Sequence, residues 1–206
     1  MKMSSPPQRK RPYRMTARAQ AAAATRERLL AAAWRQFAER PYENVRLSEI
    51  AAEAAVTVQT LHTSFGSKDQ LLTSAYLWWG RQVIEGRDAA PVDRIDEAIR
   101  NLFDNYEAHG AAILRMLSQE DRFPAIRQMT DAGRLYHRQW AERTFRSLLR
   151  GLRGPARDRR LTTIVIATDL LAWKLLRRDM KLDRHEAERI VAEMVQPPPP
   201  VPALGQ

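Results

Sequence analysis

Between Val58 and Phe65 the chain carries Gln59, Thr60, His62, Thr63 and Ser64, a run of short polar side chains interrupted only by Leu61. At helical spacing Val58, Leu61 and Phe65 share one face, which leaves the polar set on the other. Amides and hydroxyls on an exposed helix suit hydrogen bonding to base edges and phosphates. Gln59, whose amide fits the bidentate pattern of adenine, and Thr63 read as base contacts, with Thr60, His62 and Lys68 as phosphate contacts. Catalytic chemistry has no comparable constellation. The histidines at 62, 109, 137 and 185 fall in separate segments, and there is no Gly-rich phosphate loop, no HExxH and no Ser, His and acid set that spacing brings together. Carboxylates such as Glu39 and Asp121 stand next to Arg40 and Arg122, as on a solvated polar face. The chain reads as a binding protein, not an enzyme, with no metal and no cofactor. Without a cysteine it has neither disulfides nor thiolate metal ligands.

The polar run needs elements to hold it. Leu29, Leu30, Ala33, Trp34 and Phe37 recur at helical spacing and predict a first helix that stops before Pro41. Leu47, Ile50, Ala51 and Ala54 predict a second, with Glu49 suited to its positive end. After Ala55-Val56-Thr57 a third begins, Thr57 capping it, and two helices joined by so short a turn must cross steeply. Ser67 to Gln70 is a capping box that starts a fourth helix. Residues 25–70 therefore predict a helix-turn-helix.

In word order and spacing the stretch TRERLLAAAWRQFAERPYENVRLSEIAAEAAVTVQTLHTSFGSKDQLL resembles the TetR family of bacterial transcriptional regulators. The resemblance implies an all-α protein of about nine helices, an N-terminal three-helix DNA-binding domain followed by a helical ligand-binding and dimerisation domain. It implies a cytoplasmic bacterial homodimer that binds double-stranded DNA at an inverted repeat, most often as a repressor, and is released by a small-molecule effector. Carried onto this chain, the DNA contacts are Arg46, Thr57, Gln59, Thr60, His62, Thr63 and Lys68. Several positions depart from the family pattern. Pro41 and Ala55 stand where Gly is usual, Arg46 where a Ser or Thr cap is usual, His62 where Tyr donates to a phosphate, and Ser64 where His is usual. Ala55 is expected to avoid the positive φ that Gly tolerates. The alternative is a helical dimer that binds a ligand or protein partner and no longer reads DNA sequence.

Beyond residue 70 the pattern is helical and punctuated by turn formers. It predicts a fourth helix from Lys68 to about Ile84, a fifth opened by Asp93 and closed by Gly110, and a short sixth through Ile113 and Leu117. A seventh follows from Pro124 to about Leu152, an eighth from Gly154-Pro155 to about Met180, and a ninth opened by Asp183. Candidate effector-pocket residues are Trp78, Phe103, Tyr106, His109, Met116, Tyr136, His137 and Trp140, each of which reads equally well as core. The last two helices carry more apolar surface than one layer of neighbours covers, and the dimer candidates there are Ile166, Leu170, Trp173, Leu176, Ile190 and Met194.

The net charge of +10 is unevenly placed. Lys2, Arg9, Lys10, Arg11, Arg14 and Arg18 supply six positive charges before residue 19, with no acid among them, whereas residues 25–70 balance six basic against six acidic side chains. A basic arm beside a helix-turn-helix lies along phosphates or enters a minor groove, and equally reads as a solvated leader. From Thr16 the Ala-rich run extends the first helix backward, with Thr16 as an early cap. No apolar run has membrane-span length. The domains are expected as a basic, partly disordered arm at 1–24, the DNA-binding head at 25–70, the regulatory and dimerisation body at 71–196 and a disordered Pro-rich tail at 197–206.

Overall fold

The structure, a computed structural model, describes residues 11–196, with side chains from residue 19 onward. Of the arm expected at 1–24, residues 1–10 lie outside the described residues, as does the expected tail at 197–206, while 11–24 belong to the first helix. What is described is helical, with no strand, and no helix among those residues is long and apolar enough to cross a membrane. The chain divides into two compact units, one ending at Trp78 and the other beginning at Trp79.

In the first unit α1 (Arg11–Glu39) packs Leu29, Leu30, Ala33, Trp34 and Phe37 into the core, and Thr16 lies inside it, not at its cap. A 3-10 turn (Tyr42–Asn44) follows Pro41, then α2 (Leu47–Glu53) and α3 (Val58–Phe65). Ile50, Ala51, Ala54, Leu61 and Phe65 are buried with them, as are Leu71, Leu72 and Ala75 of α4 (Lys68–Asp88). Polar ties fix the packing from outside. Glu53 accepts from Arg35 and, at 2.7 Å, from Gln36, while Arg40 reaches Glu49 and the Asn44 carbonyl.

The turn between α2 and α3 departs from expectation. Ala55 takes φ 55°, and its N–H donates to the Ala52 carbonyl at 3.1 Å while that of Val56 reaches Ala51 at 2.9 Å. This pair of bonds is a Schellman closure, and its geometry requires the left-handed residue whatever its identity. An L-residue there is strained by about 1–2 kcal/mol, partly offset by the backbone entropy that Gly would lose on folding. Ala55 is exposed, so its methyl contributes no packing. Ala55→Gly should therefore raise stability by about 0.5–1 kcal/mol; urea denaturation with an unchanged slope is the check, and a loss of stability would show that the turn has no strain to relieve.

The second unit holds the rest of α4 with α5 (Ile95–Leu117), α6 (Pro124–Thr144), a 3-10 turn (Arg146–Leu149), α7 (Gly154–Ala167), α8 (Leu170–Lys174) and α9 (Arg184–Val195). Four expected boundaries move. Gly86 and Gly110 are helix-interior, so α4 continues to Asp88 and the expected fifth and sixth helices are one. The long helix after Pro124 stops at Thr144 because Asp93, at φ 61°, folds against its end. The N–H of Asp93 donates to the Thr144 carbonyl at 2.8 Å, and its carboxylate takes the Ser147 N–H at 2.8 Å and Arg146 Nε at 3.0 Å. The eighth predicted helix breaks at Thr168-Asp169, where Asp169 accepts from the Leu171 N–H at 2.8 Å and caps α8. A π turn (Leu175–Asp179) then carries the chain toward α9, whose cap is Asp183 with the Glu186 N–H at 2.9 Å. Ile99, Leu102, Phe103, Tyr106, Trp140, Phe145, Ile164, Trp173 and Val191 are among the residues that form one apolar core between these helices.

Candidate nucleic-acid interface

Helix α3 is held at both ends by its own sequence. Thr57 Oγ1 accepts from the Thr60 N–H at 3.1 Å, which supplies a partner to one of the first-turn donors that a helix leaves open. At the far end Gly66 takes φ 76° and its N–H closes on the His62 carbonyl at 2.8 Å. Ser67 and Gln70 then exchange reciprocal bonds, each 3.1 Å, and start α4 as the capping box predicts. Leu61 and Phe65 face the core, and the guanidinium carbon of Arg26 sits 4.7 Å above the Phe65 ring.

The opposite face is open. Gln59, Thr60, His62, Thr63 and Ser64 are all exposed. Their hydrogen-bonding capacity is unequally spent. Thr60 Oγ1 pairs with Thr57 Oγ1 at 2.9 Å, and Ser64 Oγ donates back to the Thr60 carbonyl at 2.8 Å. Among the described residues the side chains of Gln59 and Thr63 make no hydrogen bond, so their donors and acceptors all point outward for a partner. That separates the two expected base readers from their neighbours.

His62 carries a constraint that residue type alone does not reveal. Its Nδ1 lies 3.1 Å from the Gly66 carbonyl, which can only accept. The neutral ring therefore keeps its proton on Nδ1 and presents Nε2 as an acceptor. In that tautomer Nε2 offers a phosphate no donor, whereas a tyrosine hydroxyl supplies one. Lys68 is also partly committed: its ammonium donates to the Tyr42 carbonyl at 2.5 Å and lies 4.3 Å from the Tyr42 ring centroid. Burial in that seat lowers its pKa, while the Asp69 carboxylate opposes the shift. Lys68 thus first ties α4 to the 3-10 turn, with two of its three donors left for a phosphate. Tyr42 in turn donates its hydroxyl to Asp69. Arg46 occupies the N-cap of α2 with extended backbone and no side-chain cap bond, and its side chain is exposed. An open cleft of about 500 Å³ beside it is lined by Arg40, Pro41, Glu43, Asn44, Arg46 and Glu49, where basic and acidic groups balance.

The effector and dimer candidates scatter. Trp78 belongs to the first unit and the other pocket candidates to the second. Phe103, Tyr106, Met116, His137 and Trp140 are buried, Tyr136 is half-buried, and the ring of His109 meets Trp79 edge-on at 5.4 Å. Of the dimer candidates, Leu170, Trp173 and Leu176 are core of their own chain, because α8 turns that stripe inward. Ile166 and Met194 are exposed at 60% and 45%, and Leu171 and Leu175, from the same apolar run but absent from the expected set, at 57% and 52%. The signal for these two was the run itself: whichever stripe α8 buries, the alternate one remains outside.

Residues 29–75 match the family model described as bacterial regulatory proteins, tetR family. No curated protein matches the sequence. In three dimensions the chain is similar to a transcriptional regulator of Rhodococcus sp. Rha1, at TM-score 0.63 and 16% identity over 82% of this chain and 93% of that one. A protein of Pseudomonas aeruginosa PAO1 described as a transcriptional regulator gives TM-score 0.63 and 17% identity, covering 82% and 88%. A TetR-family transcriptional regulator of a Rhodococcus species gives 0.61 and 16%, covering 84% and 97%.

Proposed function

We propose that this TetR-family chain, assigned to the family by residues 29–75, acts as a homodimeric repressor that reads an inverted-repeat operator through α3 and leaves it when a small molecule binds the second unit. One observation carries the reading: α3 presents Gln59 and Thr63 outward with all their hydrogen-bonding groups uncommitted, on a helix fixed at both ends. A rigid helix with free amide and hydroxyl groups is what direct readout in the major groove requires. Two copies read two half-sites, and the exposed Ile166, Leu171, Leu175 and Met194 supply apolar surface for a second copy. Release follows if the effector binds the DNA-incompetent state more tightly, since equal affinity for both states shifts nothing. The role is one of binding, not catalysis.

Selection of bound duplexes from a random pool at near-physiological salt should enrich an inverted repeat. With that operator in hand, Gln59→Ala should weaken binding by about 1–3 kcal/mol and relax the preference at one base pair in each half-site, leaving non-specific affinity unchanged. Recovery of no motif by a folded dimer would favour a ligand- or protein-binding module that no longer reads sequence.

A further inference from the structure

The second unit closes around a cation that has no counter-charge. Arg87, near the end of α4, is only 5% exposed, and among the described residues no carboxylate pairs with it. Its guanidinium carbon lies 4.4 Å from the ring centroid of Trp140, 5.3 Å from that of Tyr106 and 5.7 Å from that of Tyr136. One Nη donates to His137 Nδ1 at 2.9 Å, while Nε is buried without a partner. The carboxylates nearby are engaged elsewhere. Asp88 takes the Tyr136 hydroxyl and Arg143, each at 3.0 Å, and Asp169 caps α8. One turn back along α4, Asn105 donates to the Val83 carbonyl and leaves its Oδ1 buried and unpartnered.

Ring faces and one neutral nitrogen recover part of what a guanidinium loses on leaving water, but they supply no negative charge. Apolar replacement of a buried ionic group is often neutral or stabilising, so stability does not explain why an arginine sits here. A planar fork able to offer parallel N–H donors to a flat carboxylate does. We propose that Arg87 anchors an acidic effector, a small organic carboxylate whose flat apolar part lies against Tyr106, Tyr136 and Trp140 and whose oxygens take the unpaired Nε and an Nη. Tyr136 is the outer wall of this cage, half-buried and held by Asp88, and its displacement opens the guanidinium to a ligand. The inference rests on the ligand-release reading for its consequence and deepens it by naming the effector's chemistry.

The test uses the full chain, with tryptophan emission and thermal melting followed during titration with benzoate and 2-naphthoate and with their uncharged amides, benzamide and 2-naphthamide. Each carboxylate should bind at least about tenfold more tightly than its amide, the margin a charge-assisted pair supplies. In Arg87→Met that preference should vanish. Carboxylates that bind no better than amides, or that do not bind, overturn the proposal, and so does a preference that survives in Arg87→Met. If that variant fails to fold, the carboxylate-to-amide ratio in the parent decides alone. Adding 2-naphthoate to the complex with the selected operator separates the two readings. A carboxylate that binds through Arg87 without changing DNA affinity retains the site and removes the release mechanism.

Discussion

Gly110→Val should destabilise the second unit by about 3 kcal/mol or more, a fall of roughly 6–12 °C in Tm for a chain of this size. Gly110 is buried in the second half of α5, where a Cβ would sit 2.8 Å from Trp173 Cζ3, 3.0 Å from Cη2 and 3.1 Å from Leu170 Cδ1. The indole cannot retreat. It is 2% exposed, packed at 5.9 Å against the ring of Tyr106 and flanked at 4.8 Å by the guanidinium carbon of Arg178. Even one methyl must displace a ring wedged on two further sides, which outweighs the roughly 1 kcal/mol that alanine gains over glycine in a helix. Gly80 supplies the internal control. Nothing lies within 4 Å of the Cβ it would carry in α4, so Gly80→Ala should stabilise by up to about 1 kcal/mol. Paired denaturation curves decide the matter, and equal effects at the two sites would mean that α5 and α8 approach less closely than described.

The same glycine marks where sequence reading stops. Gly110 reads as a helix end because glycine usually punctuates, and only the position of Trp173, far along the chain, turns it into a site of close approach. Asp93 reads as the start of a helix because its side chain is a good cap, yet that carboxylate ends α6 by binding Ser147 across space. Ala55 reads as a residue that avoids positive φ, and the closure of α2 imposes it. Against these, the helix-turn-helix and its polar face were legible because everything that specifies them is local: apolar spacing, the Thr57 cap and the Ser67–Gln70 box. Arg87 had a local signal that composition hides. Leu72, Ala75, Trp79 and Val83 form the buried stripe of α4, and residue 87 is the next position on it.

Acid should weaken the protein through His137 well before its carboxylates protonate. The ring is 7% exposed; Nδ1 accepts from Arg87, and Nε2 lies 3.2 Å from both the Val165 carbonyl and Thr168 Oγ1. Because an arginine only donates, the buried ring is neutral with its proton on Nε2, and a second proton would have to point at the guanidinium. Burial first, then the Arg87 charge, lower its pKa from 6.5 to about 4. With the folded value below the unfolded one, the stabilisation is complete above pH 6.5 and is lost as pH falls from there toward 4, since only the unfolded chain takes up the proton in that interval. The loss by pH 4.5 should be on the order of 2 kcal/mol. Asp93, held low by the Ser147 N–H and Arg146, and Glu120, held low by Arg134 and Thr130, lose their contributions only at lower pH. His109, lowered by burial alone, adds in the same direction as His137. In His137→Gln an amide oxygen still accepts from Arg87 but nothing titrates, so the difference in unfolding free energy between pH 7.5 and 4.5 should shrink by that amount. An unchanged difference would mean that His137 is protonated in the fold and does not accept from Arg87, which would leave the guanidinium of the proposed carboxylate site without its one nitrogen partner.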